Sequence, residues 1–263
     1  MSDVLQVSRD RGVARVVLNR PEVRNAFNAE LIATLAWTFE AFAEEAPEGL
    51  RAVVLSGAGA VFCAGADIEW QRASIGLSME ENEADAGRLQ EMLVAIDECP
   101  VPVIAGVQGA ALGGGMALCC VVDITVATAD ARFGFTEVKL GLMPAVISPF
   151  VLPRIGEGAA RAHFVTGERF GSEEALRIGL VSEVVADQAA LDARVETLLG
   201  EILSGGPEAT RNAKAVILDQ RGLSRGDALA HTVAQAARQR VSAEGQEGLT
   251  AFLDKRPASW REE

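Results

Sequence analysis

Residues 101–120, "VPVIAGVQGAALGGGMALCC", decide how the chain must be read. The first half, "VPVIAGVQG", is a continuous apolar run closing on a glycine loop, the composition of a strand buried on both faces. Gly113, Gly114 and Gly115 then interrupt the apolar pattern with the most entropically costly backbone available, before "MALCC" resumes it with the character of a helix. Such a strand–glycine–helix junction lets another group come close to the main chain. The first N–H groups of the following helix have no partner within it.

Other segments on either side support the same architecture. "VARVVL" (13–18), "RAVVLSGAG" (51–59) and "DITVAT" (123–128) read as further strands. Leu31, Leu35, Phe39 and Phe42 recur at helical spacing behind Asn28, a predicted N-cap, and Leu89, Met92, Leu93 and Ile96 make a second amphipathic helix. Buried strands separated by helices predict an α/β protein whose sheet is covered on both faces. From about residue 190 the pattern turns helical. Leu191, Val195, Leu198, Leu199 and Ile202 form one stripe, and Pro207 opens another helix near its N1 position. The acidic "SMEENEAD" (78–85) reads as a solvated loop or helix start, and no repeat of fixed period is visible.

Composition narrows the function. With 263 residues, 49% of them apolar, the chain can bury one substantial core with a smaller appendage. Its net charge of −13 argues against broad binding of nucleic acid and requires that any cations holding an anionic substrate be local. Apolar runs are broken well short of the roughly 20 residues of a membrane span, so no membrane association is expected. The segment after Met1 has no targeting character, which predicts a cytoplasmic protein starting near that residue. Cys63, Cys99, Cys119 and Cys120 lie in apolar contexts without metal or disulfide spacing and are read as small buried hydrophobes.

Several chemistries fail on spacing. "GAGAVF" (57–62) follows a strand, but Phe62 stands where a dinucleotide fingerprint needs its third glycine. No GxxxxGK[ST] loop is present, and His163 and His231 have no GxSxG nucleophile to accompany them. What remains is the pair "VFCAGADIEW" and "GAALGGGMAL", two strand–glycine–helix junctions. Convergence of the Ala66 and Gly114 amides would make an oxyanion hole, each donor contributing about 3 kcal/mol to a transition state.

Taken together, "RPEVRNAFN", "FCAGADI", "VQGAALGGGMAL", "FGFTEVKLGLMPA" and "FLDKRP" resemble, in order and spacing, the crotonase superfamily of enoyl-CoA hydratases and isomerases, over nearly the whole chain. The resemblance implies a crotonase-like spiral of ββα units over residues 1–195, carrying an acyl-CoA site. It further implies a helical region over 196–263 that builds trimers, usually paired as hexamers, and contacts coenzyme A. Ala66 and Gly114 match the amides that hold the thioester oxygen, so the glycine triplet would let that thioester reach the main chain at a helix start. Glu137 matches a catalytic glutamate. Arg24, Lys255 and Arg256 match positions near the coenzyme A phosphates, and Ala26, Ala64, Asp67, Ile68 and Leu112 match its adenine and pantetheine groove. Coenzyme A is then part of the substrate; no separate cofactor and no metal is implied.

The chain departs from the two-glutamate hydratases at one position, where Ala117 stands in place of the first carboxylate. Glu137 alone can serve hydration if the proton taken from water is returned to carbon, and it can equally serve double-bond isomerisation. "ADIEW" and "EVKLGLMPAVISPF" resemble the 3-methylglutaconyl-CoA hydratase branch, which acts in leucine degradation. Its second substrate carboxylate needs a donor, for which Trp70, Arg72, Arg88 and residues 143–147 are candidate wall residues. A non-catalytic coenzyme A-binding or RNA-binding relative is the reading from a different class.

Overall fold

A computed structural model describes residues 3–261; Met1, where the chain was expected to start, lies outside them. Strands β1 (Leu5–Asp10) and β2 (Val13–Leu18) form an antiparallel hairpin, and helix α1 (Ala29–Glu45) follows. Asn28 caps α1 as expected, its side chain accepting from the Leu31 amide at 2.9 Å. The chain continues through β3 (Ala52–Gly57), α2 (Ile68–Ala73), α3 (Met79–Asp97), β4 (Val103–Val107), β5 (Ala110–Leu112) and α4 (Gly114–Val121). It then runs through β6 (Ile124–Thr128), β7 (Arg132–Gly134), α5 (Ser148–Thr166), β8 (Phe170–Gly171), α6 (Ser172–Arg177) and β9 (Glu183–Val185). The acidic stretch 78–85 begins α3, where Ser78 and Glu81 form a reciprocal capping box.

The main sheet has the order β1-β2-β3-β4-β6-β9, with every pairing after the first hairpin parallel. A second, short layer is built from β5, β7 and β8, extended by single parallel bridges between Cys63 and Ala111 and between Phe27 and Ala66. Each turn of the chain thus gives one strand to the large sheet, one short extended piece to the small layer, and then a helix. That repeat of β2–Phe27–α1, β3–Cys63–α2, β4–β5–α4 and β6–β7–α5 is the ββα spiral, an α/β fold.

Both faces of the large sheet are covered, as the unbroken apolar runs require. One face packs on a core that includes Leu31, Leu35, Phe39, Met92, Leu93 and Ile96. The other receives α7 (Gln188–Ser204), whose Leu191, Val195 and Leu199 lie on Val13, Ala52, Val54, Ile104 and Val126. Because α7 runs through residues 195 and 196 and belongs to the sheet, the division expected there falls inside one helix. The break in the chain comes at Gly205–Gly206, after which α8 (Pro207–Leu218), α9 (Arg225–Val241) and α10 (Ala243–Leu253) pack on one another. Lys214 of α8 is buried against Asp123 at 2.8 Å and ties this region to the end of the sheet. Among the described residues no helix is long and apolar enough to cross a membrane.

Candidate active site

The parallel bridge between Cys63 and Ala111 aligns the two glycine junctions. Cys63 N donates to Ala110 O and Leu112 N to Cys63 O, both at 3.0 Å, so the two segments leave the bridge side by side. Ala66 and Gly114 each stand three residues beyond the bridged pair. Accessibility alternates along both segments: Cys63, Gly65, Asp67, Ala111, Gly113 and Gly115 are buried, whereas Ala64, Ala66, Leu112 and Gly114 are half-exposed. The strand period of two therefore places four of the expected site residues on one accessible face.

Neighbouring amides are engaged. Phe27 N donates to Gly65 O at 2.7 Å, Asp67 N to Phe27 O at 2.8 Å, Gly113 N to Gly134 O at 2.9 Å and Met116 N to Gly113 O at 2.9 Å. The Ala66 and Gly114 amides have no acceptor among the described residues. Gly114 opens α4, so its N–H also sits at the positive end of the helix dipole.

The glycine triplet is required first by the chain's own packing. Gly113 has φ 49° and ψ −121°, a conformation that a side chain would strain. A Cβ on Gly114 would lie 2.8 Å from the Phe27 ring, and one on Gly115 would lie 2.5 Å from Cys63 O. Close main-chain approach, expected for the benefit of a ligand, is thus also how the two junctions fit together.

Glu137 follows β7 and opens a 3-10 turn, Glu137–Leu140. A Cβ on Gly113 would lie 3.3 Å from its Oε1, which puts the carboxylate beside the glycine junctions. Its Oε2 is buried without a hydrogen-bond partner among the described residues. Burial pushes its pKa above the ordinary carboxylate value, against a smaller lowering by a backbone N–H. The geometry thus combines two free N–H donors, set in parallel register, with a carboxyl group displaced toward the range useful for proton transfer.

The remaining expected residues divide. Ala26 is buried, and its carbonyl accepts from Arg20 Nη1. Asp67 is occupied inside the chain: its carboxylate caps α2 through Glu69 N and pairs with Arg20 at 2.8 Å, and its carbonyl accepts from Gln71 N. Burial alone would raise the Asp67 pKa, but the Arg20 hydrogen bond and the Glu69 amide outweigh it and hold it low. Ile68 and Arg24 are exposed; Arg24 is in the left-handed region, with its carbonyl holding Ala64 N at 3.0 Å. Lys255 is exposed at the end of α10, and Arg256 pairs with Glu247 at 2.7 Å. The tail beyond them docks on the end of α7, where Trp260 Nε1 and Arg261 Nε donate to Ser204 O.

Of the wall candidates, Trp70 packs against the core, Arg72 is paired with Glu69 and Arg88 with Asp85, each pair at 2.6 Å. Met143 is exposed and Ile147 buried. His163 is buried between Glu174, 3.3 Å from its Nε2, and the Phe170 ring, a packing role between α5 and the segment after it. His231 pairs with Asp219 on the C-terminal helices. All four cysteines are buried thiols, Cys63 with its pKa pushed up to about 12 by burial.

Three residues that shape the site went unread in the sequence. Arg20 bridges Ala26 and Asp67. Asn25 is buried at φ 55°, its side chain accepting from Arg20 N and donating to Ala58 O and Val61 O. An asparagine in a proline-containing turn is the usual signal of a left-handed residue, and it was present in "RPEVRN". Phe27 is the third. A separate cleft of about 1370 Å³ lies at the opposite, N-terminal ends of β2 and β3 and contains none of these residues. Several of its charges are engaged within the chain: Arg15 with Glu196, Arg211 with Ala46 O, and Glu244 with the amides of Glu208 and Ala209.

Known proteins share this architecture. The family described as enoyl-CoA hydratase/isomerase matches residues 8–263. A crotonyl-CoA hydratase of Syntrophomonas wolfei is 31% identical over 258 residues, 97% of this chain and 96% of that protein. The crystal structure of an enoyl-CoA hydratase from Shewanella pealeana superposes with a TM-score of 0.92 at 38% identity, covering 98% of this chain and 96% of that one. An enoyl-CoA hydratase structure from Mycobacterium smegmatis gives a TM-score of 0.93 at 34% identity, covering 99% and 100%.

Proposed function

The chain belongs to the enoyl-CoA hydratase/isomerase family, and from that premise we propose that it adds water reversibly across the double bond of a 2-enoyl-CoA thioester. The observation that carries this reading is the pair of unengaged amides, Ala66 and Gly114, beside a half-buried carboxylate whose buried Oε2 has no partner among the described residues. The thioester oxygen accepts from both amides. As water oxygen bonds to Cβ, Glu137 takes its proton, and negative charge moves onto the thioester oxygen as an enolate. Protonated Glu137 then returns the proton to Cα, giving the 3-hydroxyacyl-CoA. Preorganised donors act most strongly where charge develops, and each contributes roughly a hundredfold or more in rate.

The finer assignment is 3-methylglutaconyl-CoA as substrate, in leucine and isovalerate metabolism, supported by the residues of "ADIEW" and "EVKLGLMPAVISPF". Its second carboxylate would have to compete for Arg72 or Arg88 with Glu69 or Asp85. Ala117 favours a second reading, a 3,2-enoyl-CoA isomerase, because moving a double bond needs one base only. Self-association as a trimer or hexamer belongs to the same proposal and is supported by α9, none of whose residues is buried while Leu229, Val233 and Val241 are exposed. A cytoplasmic location and coenzyme A contacts from Arg24 and Lys255 complete it.

The test is a side-by-side assay of crotonyl-CoA, 3-methylglutaconyl-CoA and a 3-enoyl-CoA with the purified protein and its Glu137→Gln variant. Hydration that disappears in the variant supports the proposal. Turnover of the 3-enoyl-CoA alone selects the isomerase, and coenzyme A binding without turnover of any of the three selects a non-catalytic relative.

A further inference from the structure

We propose that Phe27 sets both oxyanion donors at once, its main chain fixing the Ala66 amide and its ring fixing Gly114; this rests on the hydratase reading above. Phe27 N donates to Gly65 O at 2.7 Å, and Phe27 O accepts from Asp67 N at 2.8 Å. These two bonds straddle Ala66, the residue bridged to Phe27. In a parallel bridge the opposite residue turns its own N–H and C=O away from the strand that pairs with its neighbours. The Ala66 N–H therefore points to the far side, where the second junction runs: a Cβ on Gly65 would lie 3.6 Å from Gly113 Cα.

The side chain acts on the other donor. The Phe27 ring is buried, and a Cβ on Gly114 would come within 2.8 Å of its Cε2 and 2.9 Å of its Cδ2. No real Cβ could occupy that space, so the ring is seated directly against the Gly114 main chain. Phe27 itself has little freedom. Asn25, two residues before it, is held by three side-chain hydrogen bonds, and the intervening Ala26 carbonyl is held by Arg20. A displacement of Phe27 would thus be transmitted to both N–H groups. Ordinary core filling would require neither the straddling bonds nor a glycine under the ring.

Phe27 is accordingly a positioning residue, and its effect should appear on the reacting carbonyl. The experiment compares the full chain with Phe27→Leu, Gly114→Ala and the double variant. It measures kcat and KM with crotonyl-CoA and the downshift of the thioester carbonyl stretch of the bound enoyl-CoA by Raman difference spectroscopy. Phe27→Leu should lower kcat roughly ten- to a hundredfold with KM nearly constant and should shrink the carbonyl downshift, because the Gly114 donor loses the ring seated against it while the main-chain bonds beside Ala66 remain. Gly114→Ala should do the same, and adding Phe27→Leu to it should recover part of both signals, because leucine withdraws the ring atoms that the new methyl meets. Phe27→Leu that keeps both kcat and the downshift overturns the inference, as does a double variant no better than Gly114→Ala. Should Phe27→Leu not fold, Phe27→Met carries the same comparison. A native protein with no downshift and no turnover would remove the hydratase reading itself. A native downshift unchanged in the Phe27 variants removes only the role of Phe27.

Discussion

Replacing Glu137 by glutamine should make the protein more stable at neutral pH while it loses activity. The carboxylate is half-buried, one oxygen has no partner among the described residues, and burial raises its pKa. A neutral amide of the same shape removes the charge from that setting, a gain of about 1–2 kcal/mol on the scale of buried polar groups. For a chain of this length roughly 2–4 °C accompany each kcal/mol, so Glu137→Gln should raise Tm by about 2–8 °C at pH 7.5. The sign with pH follows from linkage. The folded state holds the Glu137 proton more tightly than the unfolded state, so native stability is greatest below the ordinary carboxyl value of about 4.3 and falls as pH rises through the raised one. Glutamine does not titrate, so the Tm difference between variant and native protein should shrink as pH is lowered through that window. In the same samples kcat should fall by about 10²–10⁴, the usual contribution of a general acid–base group. Calorimetry from pH 4.5 to 8 with parallel crotonyl-CoA assays checks both. A variant less stable than the native protein at every pH would mean that the carboxylate is satisfied and not poised.

With a carboxylate absent at Ala117, hydration in D₂O should deliver the solvent deuteron to Cα on the same face as the new hydroxyl; NMR coupling constants of the 3-hydroxyacyl-CoA read this, and opposite-face delivery would require an acid other than Glu137. Arg20→Met leaves the Asp67 carboxylate, 9% exposed, without its cation, so a loss of roughly 3 kcal/mol and a clear drop in Tm are expected; an unchanged Tm would show that the pair is dispensable. Sedimentation of Leu229→Asp/Val233→Asp should show a smaller species than the native chain, and an identical sedimentation coefficient would free that face of any role in assembly.

The large sheet was legible because its strands are buried on both sides: "VPVIAGVQG" and "RAVVLSGAG" carry no polar alternation to confuse them. Asn28 and the Leu31–Phe42 stripe likewise mark α1 by local chemistry alone. The edge strand β1 was missed, since "LQVSRD" buries only Leu5 and is polar beyond it. The small layer was invisible for a different reason. Its strands are two or three residues long or single bridges, and no periodicity can be read from so few positions. In α5, Pro153 and the left-handed Gly156 break the helical pattern within one element. At the candidate site, the two strand–glycine–helix junctions that carry Ala66 and Gly114 were legible through their glycines. The Arg20–Asp67 pair spans 47 residues, and no local signal announces a contact made only by the folded chain.

The two halves of the proposed chemistry are held in opposite ways. The donors are rigid: parallel ladder bonds, the Phe27 ring and three glycines with no room for a side chain or in a strained conformation leave the Ala66 and Gly114 amides a single geometry. Little reorganisation is then needed as the enolate forms, the condition under which main-chain donors are most effective. Glu137, in contrast, sits on a short 3-10 turn with an oxygen that nothing in the described chain satisfies. A hydrogen bond to that oxygen would stabilise the fold and pull the carboxyl pKa back down, weakening it as the base that takes the proton from water. Its lack of a partner is thus a stability cost accepted at the position where a proton must be taken and given back.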